Sequence, residues 1–138
     1  MNLSAWELLQ LNLNFYTSVM ARAEVELAAL RLEVKGFFLL AAIEQCKYPA
    51  ELAKHCLLPK PTVTFMIKRL EKAGLVKRNM VAGDLRKFAI TLTPAGRTAI
   101  ARGQEVLARA VDASLTPLTA KEKAAYAGLM KKLCAIPK

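Results

Sequence analysis

Between residues 60 and 93 the spacing of apolar side chains switches from a helical to an extended period, and the switch falls at a glycine. Val63, Ile67 and Leu70 recur at intervals of four and three, which marks one face of an α-helix. Thr62, Phe65, Arg69 and Lys72 fall on another face. Gly74 stands just past the last periodic residue, where a left-handed helix stop favours glycine. Residues 75–79 and 87–93 then read as strands, the second alternating Phe88, Ile90 and Leu92 with Ala89, Thr91 and Thr93. The intervening 80–86 holds the turn signal Gly83-Asp84 and is expected to form an exposed basic tip. A helix followed at once by a two-stranded hairpin is the unit around which the rest must fold.

Helices are expected on both sides of it. Residues 3–32 read as one long helix uninterrupted by glycine or proline, with Leu3, Trp6, Leu9, Leu13, Tyr16, Met20, Ala23, Leu27 and Leu30 on one stripe. Leu8, Leu11, Phe15 and Val19 form a second stripe, so the helix needs two packing partners: one within the chain, one in a second subunit. Residues 34–45 are dense in apolar side chains and read as a central helix. Residues 49–56 and 60–73 each carry an early proline, Pro49 and Pro61, which a first helical turn tolerates. Thr93-Pro94 restarts the helix, with Ile100, Leu107, Val111 and Leu115 as its apolar side, and Thr116-Pro117 breaks it. Thr119 and Glu122 form a capping box for a last helix with Tyr126, Leu129, Leu133 and Ile136 as its buried stripe. The expected fold is mainly α with a small β-hairpin wing: a winged helix-turn-helix with long N- and C-terminal dimerisation helices. Its parts are residues 1–32, 33–93 and 94–138.

Composition sets the class. The apolar fraction of 54% supports a core in a chain of one-domain length. The densest apolar run is 37–43, far short of the ~20 residues that span a bilayer. The chain opens without a basic leader segment. No membrane partner is therefore expected, but a cytoplasmic oligomer that buries its surplus apolar surface between subunits. Net charge is +10, and residues 60–87 concentrate it: Lys60, Lys68, Arg69, Lys72, Lys77, Arg78, Arg86 and Lys87 face only Glu71 and Asp84. Such an excess suits a polyanion or a solvated face. Three cysteines without a C-x-x-C pair, and one histidine, argue against a disulfide framework, a metal site or a cofactor. No nucleophile motif or phosphate loop suggests an enzyme.

A helix-turn-helix binds duplex DNA because an α-helix fits the major groove while the helix before it braces the backbone. The second helix needs a buried stripe and a polar, basic outer face, and residues 60–72 have both. A basic hairpin beside it can place arginine in the neighbouring minor groove.

The residues also resemble a family. Glu51-Leu52-Ala53, Thr62-Val63-Thr64, the run from Arg69 through Glu71, Gly74 and Leu75 to Val76, Asp84-x-Arg86, and Leu92-Thr93-x-x-Gly96 together look like the multiple-antibiotic-resistance regulator (MarR) family over about residues 33–97. The resemblance implies a homodimeric, sequence-specific repressor of pseudo-palindromic double-stranded DNA, released by a small aromatic or phenolic effector. It implies that Asp84 braces Arg86 for the minor groove and that Thr62, Thr64, Lys68 and Arg69 lie on the recognition helix. Lys60, Lys77, Arg78 and Lys87 are phosphate candidates. Two features depart from the family. The turn before the recognition helix reads Leu58-Pro59-Lys60-Pro61 where a polar N-cap is usual. Phe65 replaces a residue that is often arginine; it either faces the groove, against a thymine methyl, or turns back to the core or the turn.

For an effector pocket, Trp6, Phe15, Tyr16, Phe37 and Phe38 are the candidates, with helical core as their other reading. For redox sensing, Cys56 after Lys54 and His55 is the candidate, provided its thiol is exposed and acidic. A winged-helix dimer that docks a protein instead of DNA is the remaining alternative.

Overall fold

The computed structural model describes residues 2–135, with the side chains of all of these except residues 84–87. The chain runs α1 (Ala5–Ala29), α2 (Val34–Ala42), α3 (Pro49–Cys56), α4 (Lys60–Lys72), β1 (Val76–Val81), β2 (Asp84–Leu92), α5 (Pro94–Ser114) and α6 (Ala120–Cys134). The two strands form one antiparallel sheet. Two compact units emerge, one from residues 1–22 with 107–138 and one from residues 23–106. The mainly α fold with a hairpin wing is as expected.

In the unit of residues 23–106, Leu27, Leu39, Leu40, Leu52, Val63, Ile67 and Ile90 are the most deeply buried large side chains. They come from helices α1 to α4 and from β2, so the helix-turn-helix and the wing share one core. Val63, Ile67 and Leu70 of α4 are all buried, as their spacing requires. Gly74 adopts φ +79°, and behind it Leu75 N–H donates to Leu70 C=O at 3.0 Å and Gly74 N–H to Glu71 C=O at 3.0 Å. These two bonds are a Schellman stop. α1 ends in the same way without glycine: Arg31 takes φ +60°, and Leu32 N–H reaches Leu27 C=O at 3.0 Å. Burial of Leu27 and Leu32 at this stop offsets the left-handed strain at Arg31.

The junction of wing and α5 explains the Leu-Thr-x-x-Gly pattern. The Thr93 hydroxyl donates to Gly74 C=O at 2.6 Å and accepts from Gly96 N–H at 3.0 Å. It thereby caps α5 and clamps the end of α4. A Cβ on Gly96 would overlap the Leu75 carbonyl oxygen, so only glycine lets α5 approach this closely. Gly103 plays the equivalent part under the Phe37 ring. Ile90 N–H bonds to Lys47 C=O at 2.7 Å, which ties β2 to the segment before α3.

Three expectations need correction. α2 stops at Ala42 instead of reaching residue 45: past it the chain tightens into turns, with Ile43 N–H on Leu40 C=O and Gln45 N–H on Ala42 C=O. The hairpin is longer than expected. Val81 pairs with Asp84 around a turn in which Gly83 takes φ +84°. A register shift between Met80 and Val81 absorbs the mismatch, so the expected loop is mostly strand.

The third correction lies in the other unit. α6 opens with the expected capping box, Thr119 Oγ1 accepting from Glu122 N–H at 3.2 Å and Glu122 Oε1 from Thr119 N–H at 2.9 Å. Yet α6 buries no residue: Leu129 and Leu133 are 60% and 65% exposed, Tyr126 is half-buried, and Ile136 lies outside the described residues. On α1 and just before it, Leu3, Trp6, Leu8, Leu9, Leu11, Leu13 and Tyr16 are likewise exposed. The apolar period of both helices is therefore not matched by burial within the single chain. Asn12 and Thr17 donate to the Leu8 and Leu13 carbonyls of their own helix, so neither depends on another segment for that bond.

Candidate nucleic-acid interface

α3 and α4 are joined by a turn in which Leu57 takes φ 54°, ψ 43°, and Leu58 N–H closes back on Ala53 C=O at 3.0 Å. α4 starts on Pro59 in an extended conformation with no side-chain cap. The missing polar cap matters less than usual. A cap oxygen accepts from the second or third helical N–H, and the second position here is Pro61, which has none.

The outer face of α4 is built on i, i+4 rows. Lys60, Pro61, Thr64, Phe65 and Lys68 together line a shallow hollow of about 460 Å³. Phe65 is 61% exposed: it points outward, which settles the choice the sequence left open. Thr64 Oγ1 donates to Lys60 C=O at 3.1 Å, which commits its proton and leaves the oxygen as an acceptor. Thr62 is half-buried beside this face and does not line the hollow.

The arginines are partly engaged inside the protein. Arg69 Nη1 lies 3.1 Å from Glu33 Oε1, both side chains well exposed, and its guanidinium sits 5.9 Å from the centre of the Phe65 ring. An exposed pair of this kind is weak, so Arg69 remains open to exchange partners. Arg78 differs. It pairs with Glu71 at 3.1 Å, is only 30% exposed, and lies 4.8 Å from the centre of the Phe88 ring. Those contacts brace β1 against the end of α4 and the neighbouring strand, whereas sequence reasoning counts Arg78 among the phosphate contacts. Lys77 projects from the same strand and is exposed. Asp84, Arg86 and Lys87 fall on β2, and their side chains lie outside the described residues.

The five aromatic candidates for an effector pocket divide. Trp6 and Tyr16 are exposed on α1. Phe15 meets Tyr126 edge-to-face at 6.2 Å and lines an open apolar groove of about 520 Å³ with Leu8, Leu11, Leu118 and Leu129. Phe37 is buried core, packed edge-to-face at 5.4 Å with the part-exposed Phe38. Sequence reasoning misses a smaller hollow of about 160 Å³ lined by Arg31, Leu32, Glu33, Met66, Arg69 and Leu70. Its walls lie far apart in the chain, and no motif announces it.

Cys56 does not have the acidic thiol a redox sensor needs. It is half-buried, and burial, with Cys46 nearby, pushes its thiol up. Neighbouring Lys54 and His55 are exposed and do not offset that shift. Among the described residues no cluster of metal-ligating side chains occurs, and no helix is long and apolar enough to cross a membrane.

Residues 31–88 match the profile of the family described as MarR. The HTH-type transcriptional repressor Rv2887 of Mycobacterium tuberculosis (strain H37Rv) is 33% identical over 110 residues, 78% of each chain. A crystal structure of an E. coli MarR mutant superposes with a TM-score of 0.85 at 23% identity, covering 97% of this chain and 98% of that one. A crystal structure of Rv2887 in complex with salicylic acid gives 0.76 at 25% identity, covering 96% and 97%. From the helix-turn-helix core through the wing to the helices on either side, the chain belongs to the MarR family.

Proposed function

We propose that the protein is a homodimeric repressor that reads a pseudo-palindromic operator in double-stranded DNA in the cytoplasm and is released by a small aromatic or phenolic ligand. The observation that carries this reading is the outer face of α4, where Lys60 and Lys68 flank Thr64 and Phe65 around one shallow hollow. Such a face presents positive charge to phosphates and short or flat side chains to base edges. Thr62, Lys77, Arg86 and Lys87 extend the contact to the backbone and the wing groove, with Asp84 bracing Arg86. Residues 33–93 are the DNA-binding part. The exposed apolar stripes of α1 and α6 support dimerisation through 1–32 and 94–138. The salicylic acid complex of Rv2887 supports release by a small aromatic acid. The raised Cys56 thiol disfavours redox control.

Selection of bound duplexes from a random pool, followed by footprinting, tests this. The expected result is two half-sites about one helical turn apart, with occupancy falling when salicylate is added. A footprint without two-fold symmetry contradicts the dimeric reading, and no selection above the pool contradicts sequence-specific binding.

A further inference from the structure

We propose that Phe65 is a specificity-determining residue that reads the C5-methyl group of a thymine in each operator half-site. The inference rests on the DNA-binding reading above and adds to it the chemical feature that is recognised.

Phe65 is the aromatic member of a hollow otherwise made of lysine, threonine and proline. It is 61% exposed, so covering it with an apolar group would be favourable. What covers it must also accept a strongly positive surround, since Lys60 and Lys68 line the same hollow. In the major groove the phosphates meet the lysines, and the floor holds a single kind of apolar group, the thymine methyl. A phenyl ring has no donor or acceptor to spend on guanine, adenine or cytosine edges, so its discrimination is for the methyl. Pro61 shares the hollow with Phe65 and adds apolar wall. The Arg69 guanidinium sits over the ring, 5.9 Å from its centre, and its weak, exposed pair with Glu33 leaves it free to turn to a phosphate. Thr64, with its proton committed to Lys60 C=O, offers an acceptor and so suits the exocyclic amine of adenine, the partner of thymine, or of a neighbouring cytosine.

The test changes the DNA as well as the protein. With the selected half-site in hand, each thymine is replaced singly by uracil, which removes only the methyl. One such replacement should weaken binding by about three- to tenfold, the scale of burying one methyl group. Cytosine at that position should bind more weakly than thymine, and 5-methylcytosine should recover part of the difference. In Phe65→Ala the uracil penalty should vanish. The proposal is overturned if every thymine-to-uracil change is silent in the parent, or if the penalty persists undiminished in Phe65→Ala. Because the uracil series needs no protein variant, its outcome does not depend on how Phe65→Ala folds. Absence of binding to any duplex at low salt overturns the DNA-binding reading itself. Retained random-duplex binding with a silent uracil series overturns only the assignment of Phe65.

Discussion

The Thr93 hydroxyl lies 2.6 Å from the Gly74 carbonyl oxygen, so one side chain closes α4 and, through its acceptance from Gly96 N–H, opens α5. Recognition helix, wing and following helix are thereby tied at one point. Thr93→Val removes both bonds while keeping the side-chain volume. It should lower unfolding free energy by about 1–2 kcal/mol, the worth of a helix cap whose partners go unmet. Thr93→Ser should retain most of it. Urea denaturation followed by circular dichroism measures both; equal stability of all three proteins would remove the clamp from the account.

Gly96→Ala places a methyl on the Leu75 carbonyl oxygen. Backbone cannot yield as a side-chain end can, so the destabilisation should be about 1–3 kcal/mol. Gly128→Ala on α6, where a Cβ meets nothing within 4 Å, should instead be neutral or stabilising. Thermal melts of the two variants should therefore move apart.

The parts of the fold legible in the sequence are the local ones. Gly74, the Thr93 cap and the Thr119–Glu122 box each act within a few residues, so their signals sit side by side in the chain. The Ser4–Glu7 box, with bonds of 2.8 and 3.1 Å, carries the same signal at the start of α1. The hairpin is longer than its sequence suggests because a bulge, unlike a glycine turn, has no residue signature here. Arg78 looks like a phosphate contact in sequence because Glu71 and Phe88 meet it only after the strand folds back. Periodicity on α6 marks an apolar stripe without saying whether the single chain covers it, and it does not. Phe65 is ambiguous in sequence because one phenylalanine at the edge of a buried stripe fits either side of it.

The two capping boxes make a pH prediction. Ser4 holds the Glu7 carboxyl, and Thr119 the Glu122 carboxyl, below the usual carboxylate range, chiefly through a backbone N–H bond. A carboxyl depressed in the folded state contributes stability above its ordinary value near 4.5, and that contribution disappears as pH falls through the lower folded value. Acid should therefore fray the first turns of α1 and α6 early. Amide exchange at those turns, corrected for its intrinsic pH dependence, should lose protection below pH 4.5 in the parent. In Glu7→Gln and Glu122→Gln that protection should depend less on pH.

Leu8 and Leu129 line the same apolar groove, and both are more than half exposed in the single chain. If these stripes meet in a dimer, Leu8→Glu with Leu129→Glu should give a monomer by light scattering at micromolar concentration, against twice that mass for the parent. An unchanged mass would move the dimer contact elsewhere.

Binding of the phosphate backbone and bases of duplex DNA by the outer face of α4 is the proposal on which the others depend. Its most direct measurement is affinity for a fixed duplex against salt concentration, for the parent and for Lys60→Ala with Lys68→Ala. Removing one lysine–phosphate interaction should reduce the slope of log affinity on log salt by about 0.9. The double variant removes four such interactions from a bound dimer and should therefore bind more weakly, with a slope shallower by about 3.6. Unchanged affinity and slope in the double variant would contradict the claim, as would parent binding that does not weaken as salt rises.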